Sequence, residues 1–170
     1  TSSVSANAAY GFSVGTYTGT YSSQPSSLDT VGHGLNGKVP GMIISKSTNG
    51  TSNWHVWHKG LDNNEYIRLN STNAKATLST GAGGSIATAP TGSVFPTYYI
   101  GGSNNGSSDN LVFYCFADVP GYQRIGSYSG NGSDSGPEVV TGFKPRFVLL
   151  KNVNDSSESD WKIYDSERDP

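Results

Sequence analysis

Short apolar and β-branched runs alternate along the chain with clusters of Gly, Asn, Ser and Pro. Runs of this kind, bounded by turn residues, are typical of β-strands. The best helical candidate, residues 73–78, is too short and too rich in polar residues to predict a helix. We expect an all-β fold, an antiparallel β-sandwich or jelly roll. Its strands are predicted at residues 12–18, 41–46, 54–58, 66–69, 111–117, 124–128, 146–152 and 161–165.

The run at residues 111–117 is apolar at every position. Because successive side chains of a strand point to opposite faces, both of its faces are apolar. The run therefore predicts a central strand that is covered on both sides, or one whose second face lies against another domain. Its Cys115 is interpreted as a small buried hydrophobe rather than a nucleophile. The Gly/Ala/Thr-rich stretch at residues 80–92 is predicted to be a loop.

An internal repeat is the most informative feature of the sequence. Short motifs of the first part recur in the same order 105–111 residues later, which predicts a duplicated unit. We assign a lead-in to residues 1–11, a first β-sandwich unit to residues 12–122, and the start of a second unit to residues 124–170. The matched segments are 14–19 with 125–130, 34–35 with 142–143, 42–46 with 147–151, 54–57 with 161–164, and Pro40 with Pro145.

The second unit contains no counterpart of the strand at residues 111–117. We expect it to be incomplete, or to pack its strands on the first unit. Its apolar residues Phe147, Leu149, Trp161 and Ile163 need burial, and an apolar face with open strand edges favours association. Three arrangements are open: the second unit continues beyond Pro170, it packs on the first unit, or neighbouring subunits cover it. We favour the last, a homo-oligomer or a chain embedded in a larger assembly.

Composition narrows the function classes. The 170 residues include 11 basic and 13 acidic side chains, so the net charge is −2 and nothing predicts binding to nucleic acid. No apolar run approaches the length that spans a bilayer, and no signal peptide is visible. The single cysteine leaves no internal disulfide framework, which favours assembly in a bacterial cytosol over secretion.

Several long strings resemble a known family. They are GTYTGT, VGHGL, VPGMIISK, LVFYCFADVPGYQRIGSYSGNGS, TGFKPRFVLLK and WKIYDSERDP. They look like an uncharacterised repeated β-domain family of structural and fibre proteins of marine phages, especially phages of cyanobacteria, often adjacent to concanavalin-A-like jelly rolls. The resemblance implies a virion appendage protein, from a tail fibre or a capsid fibre, that serves assembly and host-surface attachment. It also implies assembly in the host cytoplasm, other virion proteins as partners, and a host surface glycan as a further candidate. One departure is Gly41, where the second copy has Arg146.

Few residues suggest catalysis or metal binding, and we expect no enzyme, metal or cofactor. His55 and His58 are three apart, so in a strand they point to opposite faces and do not share a metal. His33, in a Gly-His-Gly turn, is interpreted as a turn residue rather than a base. The late acidic residues leave open a glycosidase pair, or a calcium site at the first three of them, but a solvated loop and strand end is the favoured interpretation. These residues are Asp155, Glu158, Asp160, Asp165, Glu167 and Asp169.

Aromatic residues at matched positions are the better candidates for a binding site. Trp54 and Val56 lie on the face that is interpreted as the core face. Trp57 matches Tyr164, and we place both on the opposite face. Each is a sugar-stacking platform, a subunit contact, or plain packing against the second sheet, and packing is favoured. The candidate ligand-binding residues are Trp57, Tyr164, His55, Tyr17 and Tyr128. Alternative functions are a carbohydrate-binding lectin-like module of a secreted protein and a hydrolase of surface polysaccharide.

Overall fold

The computed structural model describes residues 2–20, 29–78, 88–97, 108–155 and 159–168. Within these residues the regular structure is all β apart from one short 3-10 helix at Ala8–Tyr10, so the predicted fold class is confirmed. The strands are β1 Ser2–Asn7, β2 Phe12–Thr18, β3 Thr30–Gly32, β4 Pro40–Ser47, β5 His55–His58, β6 Glu65–Arg68, β7 Ala76–Thr77, β8 Val94–Pro96, β9 Asn110–Ala117, β10 Phe147–Leu150 and β11 Lys162–Asp165.

Seven strands form one antiparallel sheet in the order β1-β2-β9-β4-β5-β6-β7. Strand β9 pairs on one edge with β2 and on the other with β4, so that Tyr114 lies between Val14 and Ile44. The prediction that residues 111–117 form a central strand is therefore confirmed. Strand β1 lies in the segment that we interpreted as a lead-in, and it pairs with β2 along its whole length.

The two-stranded sheet β3–β8 covers one face of the large sheet. Val31 of β3 and Phe95 of β8 join the buried cluster of the large sheet, and the Phe95 ring meets the Phe113 ring edge-on at 5.0 Å. Burying such a cluster between two sheets is the main stabilising term of a β-sandwich. Its members are Tyr17, Val31, Leu35, Ile43, Trp57, Phe95, Leu111, Phe113, Cys115 and Ala117.

The fully buried His33 links the segment around β3 to the segment around β8 by hydrogen bonds. Its Nδ1 accepts a hydrogen bond from the backbone N–H of Leu35 at 3.2 Å, so the proton resides on Nε2, which donates to the carbonyl of Thr91 at 3.0 Å. Burial lowers the pKa of His33, which keeps the ring neutral. His33 is thus a buried link between the segments around β3 and β8.

The opposite face of the large sheet is apolar but only partly covered. Phe12 and Phe116 lie side by side with ring centroids 5.2 Å apart, and both side chains are half-buried. Trp54 is also half-buried, with its ring centroid 6.2 Å from that of Tyr114. Strand β9 therefore presents large side chains to both faces, as its sequence predicts.

A turn after β9 leads into an exposed connection. The carboxylate of Asp118 accepts a hydrogen bond from the backbone N–H of Ile125 at 2.7 Å and forms an ion pair with Lys59 at 2.5 Å. Ile125 packs over Gly41, where an added Cβ would lie 3.2 Å from the Ile125 side chain. The strand predicted at residues 124–128 is wrong, because this segment adopts no regular structure and residues 126–140 are exposed.

Strands β10 and β11 form a separate antiparallel hairpin. It contacts the main body at the end of β6 and in the segment that follows. The indole N–H of Trp161 donates to the carbonyl of Arg68, the last residue of β6, at 2.9 Å. The backbone N–H of Lys75 donates to the Val153 carbonyl at 3.0 Å. The hairpin does not join the seven-stranded sheet, and Phe147 and Ile163 remain 59% and 48% exposed.

We predict that Gly15→Ala destabilises the fold, whereas Gly126→Ala, at the matched position of the repeat, does not. A Cβ at Gly15 would lie 2.5 Å from the Ser3 carbonyl oxygen and 2.6 Å from the Phe113 ring, but nothing lies within 4 Å of one at Gly126. Overpacking of this kind costs about 1–3 kcal/mol of unfolding free energy. Urea denaturation measures both variants, and equal stability would contradict the register of β1, β2 and β9.

Candidate functional site

Three of the five candidate ligand-binding residues line one cavity between the two sheets. Tyr17 comes from β2, and His55 and Trp57 come from the same face of β5, two residues apart. In the neighbouring strand β4, Ser45 pairs with His55 and Ile43 with Trp57, so four side chains project in one direction. The full lining is Tyr17, Ile43, Ser45, His55, Val56, Trp57, Tyr66, Thr88, Pro90, Phe95, Pro96 and Thr97.

The cavity is small and its aromatic residues are buried. It encloses about 20 Å³, which is space for about one water molecule. Tyr17, His55 and Trp57 are only 5%, 3% and 7% exposed. Trp57 is part of the core cluster, so its assignment to the face opposite the core was wrong and the packing interpretation holds for it. A sugar ring has no access to these aromatic faces in this arrangement.

Two polar ring atoms stand out around the cavity. Among the described residues, neither His55 Nδ1 nor Trp57 Nε1 has a hydrogen-bond partner, although both atoms are buried. Buried polar atoms are normally paired, and an unpaired one costs about 1–3 kcal/mol. The cavity thus suits a water-sized polar guest and does not suit a carbohydrate.

The electrostatics of the cavity favour a neutral histidine. Burial, together with the positive charges of Arg68 and Lys46, lowers the pKa of His55 to about 4. The guanidinium of Arg68 lies 5.2 Å from the centre of the Tyr66 ring and donates a hydrogen bond to the Tyr66 hydroxyl at 3.1 Å. At neutral pH the site therefore contains an uncharged imidazole beside a fixed cation.

The other two candidate residues lie elsewhere. Tyr128 is in the exposed connection and Tyr164 is on β11, where the two side chains are 53% and 49% exposed. Neither contributes to the cavity. The candidate set therefore divides into a buried group and two separate surface residues.

The other residues considered for catalysis or metal binding are engaged in local hydrogen bonds or are buried. His58 Nδ1 accepts the backbone N–H of Gly60 at 3.0 Å, and burial raises the pKa of the Cys115 thiol to about 12. Asp155 accepts a hydrogen bond from Ser159 at 2.9 Å, and Asp165 accepts one from the backbone N–H of Arg168 at 2.9 Å. Glu158 and Asp169 lie outside the described residues. In the described part of the chain, no three His, Cys, Asp or Glu side chains are grouped so as to hold a metal ion.

The sequence did not single out an exposed tyrosine pair at one end of the large sheet. Tyr10 and Tyr122 are 53% and 56% exposed, and their ring centroids are 4.9 Å apart. Tyr10 precedes β2 and Tyr122 follows β9, and these two strands pair antiparallel, so the two residues meet at the same end. The two tyrosines are far apart in the sequence, so their contact can be predicted only once the pairing of β2 with β9 is known.

We predict that stability falls as the pH drops from 7 to 5, and that His55→Gln reduces this loss. The unfolded histidine binds a proton below its ordinary pKa of 6.5 while the folded one stays neutral down to about 4, so acid favours the unfolded state in that window. The His55 share between pH 7 and 5 is about 2 kcal/mol. Urea denaturation at pH 7 and pH 5 gives the loss of unfolding free energy for the wild type and for the variant. An equal loss in both proteins would contradict the burial of His55.

Comparison with known proteins places the chain in a family without an assigned role. No curated protein and no solved structure matches it. Within the described residues, no helix is long and apolar enough to cross a membrane. A family model described as a domain of unknown function, DUF7483, matches residues 1–170, the whole of the sequence. The chain therefore belongs to the DUF7483 family.

Proposed function

We propose that the chain is a structural module of a bacteriophage virion appendage, a tail fibre or capsid fibre, and that it serves assembly and host-surface attachment rather than catalysis. The long strings that resemble phage fibre proteins support the virion location. The observation that carries the assembly role is the incompletely covered hairpin β10–β11. Its partners are other virion proteins and further copies of the chain, assembled in the host cytoplasm.

The hairpin exposes side chains of the kind that the first unit buries. Ile163 and Tyr164 are 48% and 49% exposed, whereas Val56 and Trp57 at the matched positions are 0% and 7% exposed. A two-stranded hairpin is marginally stable on its own, and exposed apolar strands with free edges favour association. A module with such a surface is suited to a permanent assembly, where neighbouring subunits cover it.

The alternative function, carbohydrate binding, has one observation in its favour. Tyr10 and Tyr122 form an exposed pair of rings, and aromatic rings of this kind bind the apolar faces of sugars. The buried cavity gives this alternative no support, because it is too small for a sugar. In a virion appendage such a pair would serve attachment to a host glycan, so it is compatible with the proposed location.

The virion location is tested with antibodies against the exposed connection at residues 126–140. We expect them to label appendages of purified particles of the phage that encodes the chain. Antibodies preabsorbed with the recombinant chain are the control and should not label. Recovery of the chain only from the soluble lysate, with none in banded particles, would contradict the proposal.

The attachment role is tested on a glycan array with the wild-type chain and two variants. If the tyrosine pair binds sugar, Tyr122→Ala should reduce the signal about tenfold, since stacking of an aromatic ring is worth about 1 kcal/mol or more. Val140→Ala, at a residue that is 79% exposed and outside the pair, should leave it unchanged. Absence of any glycan signal would remove the sugar-binding role and leave the assembly role intact.

A further inference from the structure

We propose that the outer edge of β10 is a binding site for one further β-strand, and that this strand has the sequence character of β9. Strand β10 pairs with β11 on one edge. On its other edge, no strand within the described residues pairs with it. In the first unit the matched strand β4 has β5 on one edge and β9 on the other.

The register of the two hairpins carries the inference. In the first unit Met42 pairs with His58, and the next two pairs are Ile43 with Trp57 and Ile44 with Val56. In the second unit Phe147 pairs with Asp165, followed by Val148 with Tyr164 and Leu149 with Ile163. The sequence repeat matches these residues one by one, so the two hairpins have the same direction and the same register. A one-residue slip would have reversed every side chain.

The side chains also match in character but differ in exposure. Strand β10 is apolar at all four positions, and Phe147 is 59% exposed. Its counterpart Met42 is half-buried beside Phe116 of β9. The hairpin therefore already has the register of β4–β5, and its β10 has the apolar side chains that would face a strand like β9.

The occupant is a strand of another unit of this family and not the chain's own β9. That strand is held along both edges by β2 and β4, and Leu111, Phe113 and Cys115 on its core face are at most 1% exposed. A second copy of the chain holds its β9 in the same way. The strand that fits β10 is thus an extended segment with large apolar side chains on both faces and a free edge.

The pairing of β4 with β9 fixes the expected register of the bound strand. Met42 pairs with Phe116 and Ile44 pairs with Tyr114. By the same spacing, the residue equivalent to Phe116 should lie opposite Phe147, and the residue equivalent to Tyr114 should lie opposite Leu149. This deepens the assembly role and rests on it, yet it does not depend on where in a particle the chain lies.

The test uses the whole chain and a synthetic peptide with the sequence of residues 109–118, carrying Cys115→Ser and flanking lysines for solubility. We expect saturable binding, with slower hydrogen exchange at Phe147–Leu150. Alternate backbone N–H groups of a strand point to opposite edges, so N-methylation of odd or of even positions blocks one edge at a time. One methylated peptide should bind normally and the other should not.

The variant Phe147→Lys should weaken binding about tenfold, because the exposed ring would be covered by the bound strand. Val140→Lys, at a residue that is 79% exposed and lies seven residues before β10, outside the hairpin, is the matched control and should bind as the wild type does. Both side chains are exposed, so neither substitution threatens the fold.

Three results would overturn the inference. The first is equal behaviour of the two methylated peptides, which would indicate non-specific apolar adhesion. The second is protection at β1 or β7, the outer strands of the large sheet, in place of β10. The third is a dimer of the chain alone in which the β10 amides are already protected, because a second copy would then be the occupant. None of these results bears on the presence of the chain in particles.

Discussion

The fold depends on strand β9, which needs hydrogen-bonding partners along both edges and apolar neighbours on both faces. Strand β9 bonds through its backbone to β2 and β4, and its side chains meet apolar neighbours on both faces. It comes late in the chain, yet it joins two hairpins, β1–β2 and β4–β5, that precede it. Without it the large sheet would consist of two separate pieces with open inner edges. Such long-range pairing is costly in chain entropy, and the burial of Leu111 and Phe113 offsets that cost.

The same requirement explains why the second hairpin differs from the first. Strands β10 and β11 reproduce the register of β4 and β5, but nothing equivalent to β9 lies beside them in the described residues. Phe147, Ile163 and Tyr164 are consequently exposed and Val148–Leu150 are only half-buried, although β10 is as apolar as the matched residues of β4. The polar contacts of Trp161 and Lys75 hold the hairpin at the end of the main body without covering its face.

Sequence patterns predicted the strands that have large apolar residues and missed those that do not. The bounds of β2 were predicted correctly, and six other strands were located to within two residues at either end. The missed strands are short or polar: β1 is Ser-rich with all six residues exposed, and β3, β7 and β8 have two or three residues each. The wrong strand at residues 124–128 has good local propensity, but its side chains pack at Gly41 and Gly60 instead of joining a sheet edge.

Only part of the candidate site was predicted, because the strands that cover it are short and lack a clear sequence pattern. Alternation correctly put Trp57 on the face of β5 opposite Val56, but alternation does not say which face a second sheet will cover. Both Val56 and Trp57 are buried, so the pattern of burial along β5 no longer alternates. The covering segments β3 and β8 are too short to be recognised in advance, and the cavity beneath them was therefore not predictable from the sequence.

Glycine positions distinguish the two units more sharply than their apolar residues do. Gly15 has no room for a side chain because Phe113 and the β1 backbone lie against it, whereas the space around its match, Gly126, is open. Gly41 leaves room for Ile125, but the matched residue in the second unit is Arg146, which is exposed. A long basic side chain is tolerated there because, within the described residues, no segment packs over Arg146 as Ile125 packs over Gly41. The second hairpin thus has the same register as the first. Its residue at the position of Gly41 need not be glycine, because nothing described packs over it.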